Sequence, residues 1–340
     1  MQGLRHLLAA GALGLAAALA GTTASAQTIK ISHQWRAETD ARDRAVRIFV
    51  DEAKKRAPGL NFRIYPSRSL IQDPVGQFDA MQSGALEMAV YPLVYAVGKV
   101  PEFSITVLPG LIRSLDQAVA LKTSKYRDAL QEIAHRNGVH VVTWWWTPGG
   151  FATKDRAVGG PDSVRGLKMR AADPYFEQVL QQAGASVQAM PSSEVYTALQ
   201  TGVLDGLLTS SESFVTMRIF EQTRNATVGG KNEIFLLIQP LVMAKAAYDK
   251  LTPEQKTAFE EAATVSEGWF NTNQKEANDT MIREFKKAGA ALRELTDAEY
   301  DAWVKLAKET AWERFSKNVP GGAALIASVQ DSIAALPKTQ

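Results

Sequence analysis

The chain is predicted to fold as two α/β lobes. Three observations support this. Strand and helix patterns alternate in two separate runs, at about 28–90 and 151–235. A break, Thr147-Pro148-Gly149-Gly150, stands between them. The C-terminal third is helical, with one segment long enough to lie across both lobes.

The first run opens with a strand, Thr28–Ser32, and a helix from about Ala41 to Arg56 with Val46, Phe49, Val50 and Ala53 on one face. Asn61–Tyr65 alternates Phe62 and Ile64 with polar neighbours and reads as a second strand. Pro74–Ser83 reads as a helix stopped by Gly84, and Leu86–Val90 as a third strand. A β-α-β-α-β rhythm implies a parallel sheet wrapped by helices. Val139–Trp146 is the next strand. Its alternation sends Trp145 to the face opposite Trp144 and Trp146.

In the second run, Gly166–Arg170 is a short strand in which Leu167 and Met169 alternate with Lys168 and Arg170. Asp173 can cap a following helix whose first position is Pro174, where a missing N–H costs nothing. That helix, Tyr175–Gln182, closes at Gly184. Glu233–Val242 looks like a strand returning to the first lobe. Thr252-Pro253-Glu254-Gln255 is a capping box, and the helix it starts is expected to run from Pro253 to Lys287 despite Gly268. Some thirty residues at ~1.5 Å each give about 45 Å, enough for a brace across both lobes. Thr296-Asp297-Ala298-Glu299 caps another helix, with Tyr300, Val304, Ala307, Ala311 and Phe315 at helical spacing. The expected division is 27–147 plus 236–273 for lobe I and 148–235 plus 274–340 for lobe II.

Residues 1–26 read as an export leader: Arg5, an apolar run Leu7–Ala20, and a small-residue cleavage site ending at Ala26. The apolar run is short for a bilayer span, and nothing later reaches the ~18 apolar residues a span needs. The chain has no cysteine, hence neither a disulfide nor a lipid-attachment site. A formal charge of +2 argues against nucleic acid as a partner. These features together point to a soluble protein, expected to be a monomer, beyond the inner membrane.

Arg170 is the leading site residue. Open α/β sheets bind ligands beyond the carboxyl ends of their strands, and the helix after Asp173 adds free N–H groups and partial positive charge. A guanidinium there can grip a carboxylate through two parallel hydrogen bonds. The bland alternative is a structural salt bridge. The same topology rule nominates Gln34, ending the first strand, and Tyr91, ending the third. Ser192 either contacts ligand or caps the next helix, and Thr209 and Ser210 either donate hydroxyls to a ligand or cap the helix that follows. Of the three tryptophans at least two should pack in the core, which leaves Trp146 as the candidate to line the cleft. His33, His135 and His140 are too scattered for a metal site, so no metal and no cofactor is expected. No nucleophile elbow, phosphate loop or dinucleotide fingerprint occurs.

The ordered set Gly166-Leu167-Lys168-Met169-Arg170, Gly184-Ala185, Ser193-Glu194-Val195-Tyr196, Ala198-Leu199-Gln200-Thr201-Gly202 and Leu204-Asp205-Gly206 resembles the solute-binding subunits of tripartite ATP-independent periplasmic (TRAP) transporters, of the DctP type. Tyr65-Pro66 with Leu70, Gly84-Ala85-Leu86-Glu87-Met88, Leu108-Pro109-Gly110 and Leu251-Thr252-Pro253-Glu254-Gln255 extend the likeness over nearly the whole mature chain. The resemblance implies a two-lobed, type II-like periplasmic binding protein with crossing strands and a long helix spanning both lobes. It also implies capture of organic anions and their delivery to a small and a large membrane subunit driven by an ion gradient. Arg170 matches the family's carboxylate-pairing arginine. Where some members carry a second basic residue after the crossover, glycine stands at Gly150. Where members often carry Glu-Asn or Glu-Trp, Leu208-Thr209-Ser210 stands, so hydroxyl contacts would take their place.

The expected function is therefore non-enzymatic capture of a small carboxylate in an interlobe cleft. A secreted α/β hydrolase or isomerase, with Arg170 orienting an anionic substrate, is the alternative. A receptor feeding an ATP-driven importer or a sensor kinase would share the lobes but not the membrane partner.

Overall fold

The computed structural model describes residues 28–337; the expected leader, 1–26, lies outside the described residues. In chain order the strands are β1 (Thr28–Ser32), β2 (Asn61–Tyr65), β3 (Met88–Val90), β4 (Val139–Val141), β5 (Trp146–Thr153), β6 (Lys168–Ala171), β7 (Ser186–Ala189), β8 (Gly206–Ser210), β9 (Asn225–Val228), β10 (Phe235–Ile238), β11 (Leu241–Ala244) and β12 (Ala291–Glu294). One sheet has the order β2-β1-β3-β11-β4. The other runs β12-β9-β5-β8-β6-β7, with β10 also paired to β5. Within each sheet the βαβ strands are parallel, β1 with β2 and β3 in the first and β6 with β7 and β8 in the second. The strands that enter from the other lobe, β11 and β5, are antiparallel to their neighbours.

The chain passes between the sheets by short connections. Residues 142–145 link β4 of the first sheet to β5 of the second. Gln239 and Pro240 link β10 back to β11. The expected single strand Glu233–Val242 is therefore two strands in two sheets, split at a proline that has no N–H for either ladder. The expected break at 147–150 is likewise corrected: these residues lie inside β5. Glycine serves packing there. A Cβ on Gly149 would lie 2.1 Å from the Thr209 carbonyl oxygen, and one on Gly150 would lie 2.1 Å from that of Thr227.

The helix Ala41–Arg56 has the expected bounds, capped by the Asp40 carboxylate and with Lys54, Lys55 and Arg56 at its negative end. The long C-terminal helix begins at the expected capping box but is interrupted at Glu276, giving Pro253–Lys275 and Ala277–Lys287. The first segment places Phe259 and Phe270 in the core around β1 and the helix Ala41–Arg56. The second places Met281 and Phe285 in the core of the other lobe. The interruption thus falls where the brace changes partners. All three tryptophans of the run are buried; Trp145 stacks on Phe270 at 5.2 Å, while Trp144 and Trp146 meet each other on the opposite face. No helix among the described residues is long and apolar enough to cross a membrane.

Candidate functional site

Arg170 is the third residue of β6 and only 1% exposed. Lys168, two residues earlier on the same strand face, is exposed. What separates them is the chain that closes over the carboxyl end of the strand. Nε and Nη2 of Arg170 donate to the Met190 carbonyl, just past β7, at 2.9 and 2.7 Å, and Nη1 donates to the Leu208 carbonyl of β8 at 2.9 Å. A guanidinium has five N–H donors, so one remains on each terminal nitrogen. N–H groups on the terminal nitrogens are those with which arginine holds a carboxylate.

No acidic side chain of the described residues forms an ion pair with this cation. Asp173 is committed to the Tyr175 and Phe176 N–H groups, at 2.8 and 3.1 Å, and to the Ser104 hydroxyl at 2.5 Å. Burial raises the Asp173 pKa to about 6. Burial also pulls the Arg170 pKa below its ordinary value, against the opposing influence of Tyr95, Glu177 and Glu194. A buried cation with free donors and no carboxylate in contact costs energy unless an anion completes it. The sequence alone could not separate a structural salt bridge from a ligand contact; the absence of an acidic partner favours the ligand.

Tyr95, which borders the guanidinium, ties the lobes together. Its hydroxyl accepts from Gln34 Nε2 at 3.2 Å and from the Ser192 N–H at 3.0 Å, and donates to Ser192 Oγ at 3.4 Å. Gln34, Ser192 and Arg170 are thus brought together through a residue the sequence reading did not name. Tyr95 lies on a short turn after β3, beyond the strand-end positions that the topology rule considers.

The remaining candidates separate. Tyr91 donates to the Val75 carbonyl at 3.1 Å and packs its ring edge-on to Tyr95, one layer behind the site. Thr209 follows the carbonyl that anchors Arg170 and is buried. Ser210 caps the helix Ser211–Thr216 and meets Arg42 Nη1 at 3.5 Å. Trp146 packs on Trp144, and its indole N–H, like the neighbouring Thr147 hydroxyl, is buried with no partner.

Arg42 was also missed. It is fully buried, donates to both Asp40 carboxylate oxygens at 2.7 Å, and reaches Gln239 at 2.7 Å and Ser213 at 3.1 Å. Asp40 also accepts from Thr216 at 2.8 Å, and the Ala41 N–H donates to Glu212 at 2.8 Å. The start of a first-lobe helix is therefore bonded to a second-lobe helix through several links. The sequence held a signal: Arg42 sits four residues before Val46, on the apolar stripe itself.

A groove of about 560 Å³ opens between the lobes, its rim carrying Gln34, Arg36, Arg68, Ser193, Arg218 and Glu221. Gln34 links it to Tyr95 and hence to Arg170. Ser67, Arg68 and Arg218 line this groove with φ of 55°, 61° and 58°. Glu38, two residues past Arg36, has φ 64°, and these four are the non-glycine residues with positive φ among those described. Such backbone is costly for residues with a Cβ and gathers at functional sites.

The DctP family profile, described as "Bacterial extracellular solute-binding protein, family 7", matches residues 31–318. A solute-binding protein from Albidiferax ferrireducens is 35% identical, covering 96% of each chain. The C4-dicarboxylate-binding periplasmic protein DctP of Rhodobacter capsulatus is 28% identical over 88% of this chain and 90% of its own. Among solved structures, a TRAP periplasmic solute binding protein from Rhodoferax ferrireducens with bound malonate superposes with a TM-score of 0.87 at 36% identity. That match covers 90% of this chain and 98% of the other.

Proposed function

The chain belongs to the DctP family of TRAP periplasmic solute-binding proteins, which are not enzymes, and we propose that it captures a small organic acid anion between its lobes. The single observation that carries this is Arg170, a buried cation lacking an ion-paired acid, with an N–H left on each terminal nitrogen beyond its backbone anchors and Tyr95 beside it. One ligand carboxylate occupies those N–H groups, with Ser192 and Gln34, both bonded to Tyr95, at hand for the rest of the molecule. Glycine at 149 and 150 leaves no room for a second cationic side chain from β5, so a compact acid fits better than a large polyanionic sugar.

The malonate held by the Rhodoferax ferrireducens protein makes short dicarboxylates the first class to test here. The leader is removed after Ala26, and the mature receptor is a periplasmic monomer that hands its anion to a small and a large membrane subunit for ion-gradient-driven uptake. The two connections between the sheets, at 142–145 and 239–240, and the helix interruption at Glu276 serve as the hinge.

The test is a melting screen of the mature protein against malonate and against hydroxy, keto and aromatic acids. Ligand at a hundred times its dissociation constant contributes about 2.7 kcal/mol, which raises the melting point by several degrees. Equal stabilisation by the uncharged amide of the best acid would remove the anion from the proposal.

A further inference from the structure

Gln131 and His135 are four residues apart on the helix Lys125–Arg136 and so share one face. The chain turns at Gly138, with φ 77°, and β4 brings His140 back beside them. Val139 and Val141 are buried, which leaves His140 on the outer side of the strand. Gln131 Nε2, His135 Nε2 and His140 Nδ1 then form a triangle with sides of 2.8, 2.6 and 2.8 Å. Two histidines too scattered in the sequence to suggest a metal site are in contact.

No arrangement of protons satisfies this triangle. If the Gln131 amide donates to both rings, two imidazole lone pairs face each other at 2.8 Å. If His135 donates to His140, the amide nitrogen faces an N–H with nothing to accept it. With the amide turned over, one ring can donate to its oxygen, but the other then sets a lone pair against that oxygen or a second N–H against its neighbour. The Gln131 Oε1 atom, meanwhile, is buried without a partner. A cation bound by three lone pairs, from Oε1 of the turned amide and the two ring nitrogens, removes the conflict within the triangle.

We propose that Gln131, His135 and His140 form a site for one divalent metal of the zinc, nickel and copper class, with zinc as the working case. Imidazole nitrogens suit these ions, and zinc–nitrogen bonds of about 2.0–2.1 Å need the triangle to open by only about half an ångström. Water supplies the open position, since both histidines are partly exposed. His140 lies flat on Tyr248 at 3.6 Å, which holds the ring in place. The charged groups facing the pair are Arg127 and Lys245, which oppose a cation, and Asp249, which favours one. Lys245 is itself paired to Asp249 at 2.6 Å. The site clips the end of a first-lobe helix to β4, and it is remote in sequence from the groups around Arg170.

The experiment is a zinc titration of the untagged mature protein at pH 7.5, followed by calorimetry and by the melting point. One zinc per chain with micromolar affinity is expected, together with a rise in melting point. His135→Asn and His140→Asn should each weaken binding at least about tenfold and abolish the rise, and Gln131→Ala should weaken it several-fold. No uptake at micromolar zinc, or equal affinity in His135→Asn, overturns the proposal. His135 lies at the exposed edge, so its variant stays folded should His140→Asn not. Ring signals of His135 and His140 in the wild type that do not move with zinc would overturn it independently of any variant. Because acid binding at Arg170 is measured separately, either result leaves the carboxylate reading untouched.

Discussion

Replacing Arg170 with lysine separates the two tasks of this side chain. The guanidinium anchors itself on the Met190 and Leu208 carbonyls with three hydrogen bonds and keeps one N–H on each terminal nitrogen. An ammonium has three donors on one atom. It cannot span both carbonyls and also present a parallel pair to a carboxylate. Losing a desolvated, hydrogen-bonded charge pair costs about 2–5 kcal/mol, so malonate affinity should fall by roughly 30- to 5,000-fold. The stability cost is smaller. Leaving one buried carbonyl without a donor costs about 1–3 kcal/mol, a drop of a few degrees in a domain of this size. Arg170→Lys should therefore be folded and cooperative by circular dichroism and nearly silent in a calorimetric titration. An affinity within about threefold of the wild type would refute the reasoning, because the two free N–H groups would then have no ligand to serve.

Tyr95→Phe removes the hydroxyl that joins Gln34 to Ser192, and the dissociation constant should rise about tenfold, the effect of one or two hydrogen bonds; unchanged affinity in calorimetry would exclude Tyr95 from the site. Gly150→Ala pushes a Cβ to 2.1 Å from the Thr227 carbonyl oxygen and should destabilise by more than about 3 kcal/mol in urea melts, since only backbone can move. Burial raises Glu233 from 4.5 to about 8, so the unfolded chain loses its proton first as pH climbs. Its stabilising contribution is full below 4.5 and lost between 4.5 and 8; Glu233→Gln should flatten that decline in melts taken from pH 4 to 9. His140 works in the opposite direction, depressed from 6.5 to about 3. Without metal, stability should be intact above pH 6.5 and fall as pH drops toward 3, a slope that His140→Asn removes.

The sequence revealed elements wherever local chemistry and tertiary need agree. The strand Thr28–Ser32, the helix Ala41–Arg56 and the strand Asn61–Tyr65 have the expected bounds because alternation, apolar stripe and caps all point the same way. Sequence pattern misleads where glycine acts through packing rather than flexibility. Gly149 and Gly150 suggested a break, yet they sit mid-strand because the flanking backbones crowd the space a Cβ would need. Arg170 was found because it ends a strand. Its anchoring carbonyls were not, because the Met190 and Leu208 backbones are 20 and 38 residues away and carry no side-chain signature. Tyr95 and the histidine triangle were hidden for a related reason: a turn residue and two separated imidazoles acquire meaning only once the chain has been brought together.

Closure of the lobes on the proposed anion needs contacts from both sides. Arg170, Met190 and Leu208 all belong to the second lobe, so a carboxylate held by them alone would bind the open and closed forms equally and shift nothing. The difference must come from the first lobe, and Gln34 and Tyr95 are the first-lobe groups that reach this region. The links from Asp40, Ala41 and Arg42 to Thr216, Glu212 and Ser213 also join the lobes, but they need no ligand. They stabilise the closed form whether or not an acid is present. Weakening them should lower apparent affinity without touching the site, because less of the free protein is in the binding-competent state. Thr216→Val, which deletes one such link, should therefore raise the dissociation constant of every ligand by the same factor. Tyr95→Phe also deletes an interlobe bond, to Ser192, but it removes a group beside Arg170 as well, so on top of a common factor it should change the ranking among acids that differ in size; that change in ranking, absent in Thr216→Val, reports the recognition of the guest.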